Sequence, residues 1–342
     1  MKAKIANKPT YHVVGKLNRF NQKRTVLSRT AWDPSIQQLK HAYQTARRTR
    51  IRKKHSRESS ALRDASWYVA NTLGTFAGFM HGNDGLYSWE SLEEPEESLD
   101  SNLEFQKLQR FDPTRMSAKI KRVARFYGAD LIGIARLNDF WVYSHAYNRL
   151  TGKNAPISLS KQVKSAIVMA IKMDCDRIER SDLEASTATG LGYSRMAFAS
   201  SLLAEFIRNL GYQALPCGND TALSIPLAID AGLGELGRNG LLITPQFGPR
   251  VRLCKVLTDL PLTPDKPISL GVQRFCETCR RCLENCQAHA ISENRTAEAI
   301  TASNNSGILK WQVDGEKCFR FWSEKGVDCS VCIKVCPFNR RE

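Results

Sequence analysis

No uninterrupted apolar run in this 342-residue chain approaches the roughly 18 residues that a membrane-spanning helix needs, so no such helix is expected. Acids are nearly missing from the first 60 positions, where Asp33 and Glu58 stand against sixteen Lys and Arg, a local +14 within a formal net charge of +16. Residues 83–104 reverse this, with eight acids and no base. The excess charge is therefore mostly an N-terminal arm, read as a solvated extension, with nucleic-acid or membrane-surface contact as the sharper alternative. Arg47-Arg48 lacks the apolar stretch that follows a twin-arginine export signal, because Thr49 to Arg57 is charged. A cytoplasmic protein is expected. No secretory signal accompanies the eleven cysteines, so a disulfide framework is not expected and reduced thiols are.

Eight of those cysteines crowd the last quarter of the chain. Cys276, Cys279, Cys282 and Cys286 run as C-x2-C-x2-C-x3-C; Cys329, Cys332 and Cys336 run as C-x2-C-x3-C before Pro337, with Cys318 eleven residues upstream. A tight turn with cysteines two apart aims three thiolates into one bowl, and in two-cluster ferredoxins the fourth ligand comes from the other run. Cys276, Cys279, Cys282 and Cys336 are then expected to hold one [4Fe–4S] cluster, and Cys286, Cys318, Cys329 and Cys332 a second. Paired C-x2-C also makes zinc sites, but zinc leaves the third members and the C-P ending without a role. Gln287 follows Cys286 where proline is common, which leaves the ligand count intact. Cys175, Cys217 and Cys254 lie outside the pattern and read as small buried apolar residues.

Upstream, apolar periodicity predicts a mixed α/β or α+β fold. Met116, Ile120, Val123 and Tyr127 mark a helix stopped by Gly128; Ala129–Ala135 and Ala166–Ile171 read as strands. A helix is expected over Tyr193–Leu210, a strand over Tyr212–Leu215, a helical segment over Leu223–Ala231, and a hairpin formed by Leu241–Thr244 and Val251–Thr258. The Pro-rich stretch Pro261–Pro267 suggests a junction. Three parts result: an extension over 1–110 carrying short helices such as Ile36–Arg48, a core over 111–270, and a ferredoxin-like domain over 271–342. Gly232, Gly234 and Gly237 match G-x-G-x-x-G, yet a helix precedes them and a strand follows. That is the wrong context for a dinucleotide and leaves close backbone approach to a flat cofactor as their use.

The stretches Trp141–Tyr147, Ala188–Phe198, Pro216–Ser224, Ala231–Ile243 and Phe247–Leu260, with both cysteine runs, resemble the catalytic subunit of corrinoid-dependent reductive dehalogenases over roughly residues 112–338. The resemblance implies a nitroreductase-like core holding base-off cobalamin, fed by two [4Fe–4S] clusters, that removes halide from an organohalide. It also implies an electron donor: a ferredoxin, a flavoprotein or a membrane-bound partner. No D-x-H-x-x-G segment offers a lower axial histidine, which agrees with that family. Residue by residue, Tyr193 matches the proton donor, Arg252 the basic residue beside it, and Asn219 a polar residue of the substrate cavity; the three glycines become candidate cofactor contacts. A phenol with an ordinary pKa near 10 gives up its proton poorly, and an adjacent guanidinium stabilises the phenolate. Read without the flanking motifs, Tyr193 is a packing residue at a helix start and Asn219 a turn former, while Arg250 or Lys255 could take the role of Arg252. The alternative family is epoxyqueuosine reductase, a related enzyme acting on tRNA whose acid is an aspartate; there the basic arm would hold phosphates.

Overall fold

The computed structural model describes residues 3–51, 54–76, 85–88 and 107–340. The acidic stretch 83–104 thus falls almost wholly outside them. At the centre is a four-stranded antiparallel sheet of β1 (Leu131–Arg136), β2 (Ser165–Lys172), β3 (Ala214–Cys217) and β4 (Val251–Thr258), in the order β1-β2-β4-β3. Strand β2 is central and covered on both faces, which is why it reads as a continuous apolar run; every residue from Ser165 to Ile171 is buried. Strand β3 is an edge, and an edge tolerates Pro216. It begins two residues later than the sequence suggests, because Tyr212 turns its hydroxyl to the Leu108 carbonyl, 2.8 Å away.

Helices cover both faces. Helix α1 (Pro113–Phe126) starts on Asp112, whose carboxylate accepts from the Thr114 amide, and buries Met116, Ile120 and Ala124. Helix α2 (Asp182–Arg208) packs on the same face through Met196, Leu203 and Ile207. The other face is closed by α3 (Ser224–Asp230), with Leu227, Ala228 and Ile229. Each such fully buried aliphatic side chain contributes about 1.5–3 kcal/mol, so the two layers set a rigid frame under the site.

Two expectations need correction. The helix predicted from Tyr193 begins eleven residues earlier, capped by Ser181, whose hydroxyl accepts from the Glu184 amide. Ser181–Glu184 is a capping-box sequence. Gly190 and Gly192 lie inside the helix, and neighbours fill their vacant side: a Cβ at 190 would overlap the Trp67 indole, and one at 192 would stand 3.0 Å from Arg252 Cγ. The predicted hairpin is not formed either. Leu242–Ile243 pairs with Glu235–Leu236 instead, while Val251–Thr258 enters the main sheet. The turn between them is closed by a bridge from Thr244 to Gly248, and the Thr244 hydroxyl accepts from the Phe247 amide.

Beyond the sheet, α4 (Val272–Thr278), α5 (Arg281–Glu284), α6 (Gly315–Lys325) and α7 (Val331–Lys334) surround a strand pair, Ile291–Thr296 with Ile308–Val313. The N-terminal residues stitch across both parts: Lys4–Ile5 pairs with Ile268–Ser269, and His12–Val13 pairs with Ile308–Leu309. Helix Gln37–Ala46, expected as Ile36–Arg48, packs Leu39 near Phe319 of α6, with Ile36 beside it. Helix Arg57–Ser66 lies against α2. Among the described residues no helix is long and apolar enough to cross a membrane.

Candidate active site and cysteine cradle

Tyr193 projects from the middle of α2, Arg252 from β4, and Asn219 from the turn after β3. The structure brings the three together. Asn219 Nδ2 donates to Tyr193 Oη at 3.0 Å, and the Arg252 guanidinium lies 5.3 Å from the centre of the tyrosine ring. Because Oη accepts from Asn219, its own proton is left to point elsewhere. A donated hydrogen bond and a nearby cation both favour the phenolate that would remain after proton transfer. Arg252 Nη2 is held by Thr189 Oγ1 at 3.0 Å, one helical turn before Tyr193. The Arg252 Nε N–H is buried and meets no acceptor among the described residues. A bound group offering an acceptor fits there.

Strand alternation separates Lys255 from Arg252, and Arg250 lies just ahead of β4. Lys255 faces the opposite side of β4 from Arg252 and is fully buried. Its ammonium donates to the Gly218 carbonyl at 2.5 Å, the Asp220 carbonyl at 2.8 Å and Ser224 Oγ at 3.2 Å, gripping the turn on both sides of Asn219. Burial, against the pull of neighbouring anionic groups, lowers its pKa from the ordinary lysine value. Arg250 instead donates to the Met173 and Arg340 carbonyls and to Asn339 Oδ1, anchoring the segment after Cys336. Asp220 completes the turn, accepting from the Gly218 and Leu86 amides.

Sequence reasoning missed Trp67. Its ring stacks on Tyr193 with centroids 5.4 Å apart and planes inclined by 26°, and its Nε1 donates to the Ser186 carbonyl at 3.0 Å. The available signal was Gly190, since a glycine inside a helical run marks close approach by another group.

The eight cysteines fall into two groups. Cys276, Cys279, Cys282 and Cys336 line one small cavity with Arg238, Phe275 and Phe338. Burial pushes the Cys282 thiol up to about 12, reinforced by Cys276 and Cys336. Burial also raises Cys318 to about 12, and there the reinforcing thiols are Cys329 and Cys286. Cys286 thus sits with the second run although it belongs to the first. Glu235 fixes the cradle, its carboxylate accepting from the Leu270 and Val272 amides at 2.6 and 2.8 Å at the start of α4. Arg238 is buried and donates to the Cys276 carbonyl at 2.6 Å. Two sets of four sulfur donors, one around a common cavity with a buried cation beside it, fit two anionic iron–sulfur clusters.

The glycine triplet is split. Gly237 lines the cavity beside Cys276, whereas Gly232 packs on the Lys266 carbonyl with φ of 72° and Gly234 on the Ile243 carbonyl. Among the other cysteines, Cys217 and Cys254 are buried as expected. Cys175 is only half-buried, with Sγ 3.8 Å from Glu179 Oε1, because it opens a short surface helix.

Residues 275–340 match the 4Fe-4S dicluster domain. The chain is 38% identical over 299 residues to a tetrachloroethene reductive dehalogenase of Desulfitobacterium hafniense, covering 75% of this chain and 53% of that protein. It is 35% identical over 340 residues to the tetrachloroethene reductive dehalogenase of Sulfurospirillum multivorans, covering 91% and 67%. The solved structure of a catabolic reductive dehalogenase superposes with a TM-score of 0.74 at 26% identity, covering 99% of this chain and 44% of that one. The chain therefore spans between 44% and 67% of the length of these proteins.

Proposed function

We propose, on the premise that this chain belongs to the reductive dehalogenase family, that it removes halide from an organohalide with Tyr193 as the proton donor. The balance is R–X + H⁺ + 2 e⁻ → R–H + X⁻. Base-off cobalamin and two [4Fe–4S] clusters, when bound, supply the low-potential metal chemistry and the electrons, which originate in an external donor. The chain's own part is to hold the cofactors, seat the carbon and deliver the proton. Tyr193 gives that proton; Asn219 and Arg252 stabilise the oxygen left behind; Trp67 walls one side of the ring.

The observation that carries this reading is the contact of Asn219 with Tyr193 Oη under the Arg252 guanidinium, three side chains that the sequence separates by up to 59 positions. It also favours dehalogenation over tRNA chemistry, whose family uses an aspartate for this step. In the test, Tyr193→Phe keeps iron, sulfide and corrinoid content and loses about 10²–10⁴-fold in halide release, the usual contribution of a positioned acid. Full activity in that variant removes Tyr193 from the reaction. Salt-sensitive tRNA binding without any halide release would move the protein to the other family's chemistry.

A further inference from the structure

Arg238 is one of the most enclosed charges in the protein, about 3% exposed. Its side chain donates to the Cys276 carbonyl at 3.1 and 2.6 Å and to the Glu293 carbonyl at 2.8 Å, and its guanidinium lies 4.5 Å from the centre of the Trp311 ring. No carboxylate pairs with it among the described residues. A buried cation compensated only by carbonyl dipoles and an aromatic face is costly unless an anion completes it. The cavity it lines is that of Cys276, Cys279, Cys282 and Cys336. Glu235, a buried carboxylate that acts on Cys276, is engaged by the Leu270, Gly271 and Val272 amides.

The second set of thiols has the opposite surroundings. Asp314, the N-cap of α6, faces Cys318; Asp182 and Asp328 face Cys329. Asp328 is itself buried and accepts from Ser186 Oγ at 2.5 Å. The first thiol set therefore meets a buried cation and one amide-bound carboxylate, Glu235, and the second meets three carboxylates.

We propose that Arg238 sets the two electron sites apart, holding the cluster of Cys276, Cys279, Cys282 and Cys336 at the higher reduction potential of the pair. The inference rests on the two-cluster reading above. Reduction adds one negative charge to a cluster, so a buried cation stabilises the reduced form more than the oxidised one, and buried carboxylates do the reverse. A guanidinium holds its charge in such a place because it cannot deprotonate at working pH.

The test uses the full chain, reconstituted anaerobically with iron and sulfide, and follows both cluster signals by electron paramagnetic resonance at controlled potential. Arg238→Met should move the higher midpoint to more negative potential, narrowing the gap, and leave the lower one in place. Arg238→Lys, which keeps the charge, should restore most of the gap; a purely structural clamp would not respond to charge in this way. If Arg238→Met fails to retain its cluster, Asp328→Asn carries the test from the other side, raising the lower midpoint and sparing the higher. Unmoved midpoints in cluster-loaded variants, or a shift of the wrong midpoint, overturn the proposal alone. A wild-type sample with no cubane signals overturns the two-cluster reading and the proposal with it.

Discussion

Replacing Lys255 by methionine tests how the turn that carries Asn219 is held. The ammonium meets three oxygens and is wholly buried, so the variant strands the Gly218 and Asp220 carbonyls without a donor. Each stranded carbonyl costs about 1–3 kcal/mol. Relief from burying an ammonium offsets part of that, leaving a net loss of about 2–3 kcal/mol against a typical stability of about 5–15 kcal/mol. The fold survives, but the turn no longer aims Asn219 at Tyr193. Loss of that hydrogen bond, worth about 1 kcal/mol, lowers turnover by roughly fivefold. Urea unfolding measures the first effect. Halide release measures the second, with Asn219→Ala and the double variant completing a cycle. The two substitutions should be strongly non-additive, because both break one contact. Burial lowers the Lys255 pKa below its ordinary 10.5, so as pH rises toward 10.5 the unfolded chain still carries a proton that the folded chain has released. Stability from this group therefore increases with pH in that window, and the increase should vanish from the wild-type minus variant difference if Lys255 is not its source. A variant as stable as wild type, or additive with Asn219→Ala, would refute the latch.

Gly190→Ala gains about 1 kcal/mol of helix propensity but collides with Trp67, so unfolding should change little while tryptophan emission shifts to the red and turnover falls. Unchanged emission would mean that Trp67 does not rest on this helix. Cys286→Ala should abolish the cluster signal shared by Cys318, Cys329 and Cys332 and halve the iron, while Cys279→Ala should abolish the other signal. If the two variants lose the same signal, the crossed ligand assignment is wrong.

How much of this could be read from residues alone follows from where each constraint lies along the chain. The expected cysteine pairing comes from the spacing of C-x2-C-x2-C, which limits which sulfurs can share a bowl, and from a second run of the same kind later in the chain. Strand β2 was legible because burial on both faces leaves one continuous apolar segment. The start of α2 was not: Gly190 and Gly192 weaken local propensity, and their reason for being there, the indole of Trp67 and the stem of Arg252, arrives from distant parts of the chain. The pairing of Leu242–Ile243 with Glu235–Leu236 was hidden for a similar cause, since Gly234 admits the Ile243 carbonyl and draws that strand away from β4.

The candidate site shows the same division. Tyr193, Asn219 and Arg252 lay within stretches that resemble a known family, but nothing local said which of Arg250, Arg252 and Lys255 would meet the phenol. The period of two along β4 separates two of them once the sheet exists: Arg252 turns toward α2 with Cys254, and Lys255 turns beneath the Asn219 turn, while Arg250, ahead of the strand, is taken up by the Met173 and Arg340 carbonyls. One strand thus places both the cation over Tyr193 and the ammonium that aims its hydrogen-bond donor. A one-residue slip of β4 against β2 and β3 would exchange the two faces and remove both from the site at once.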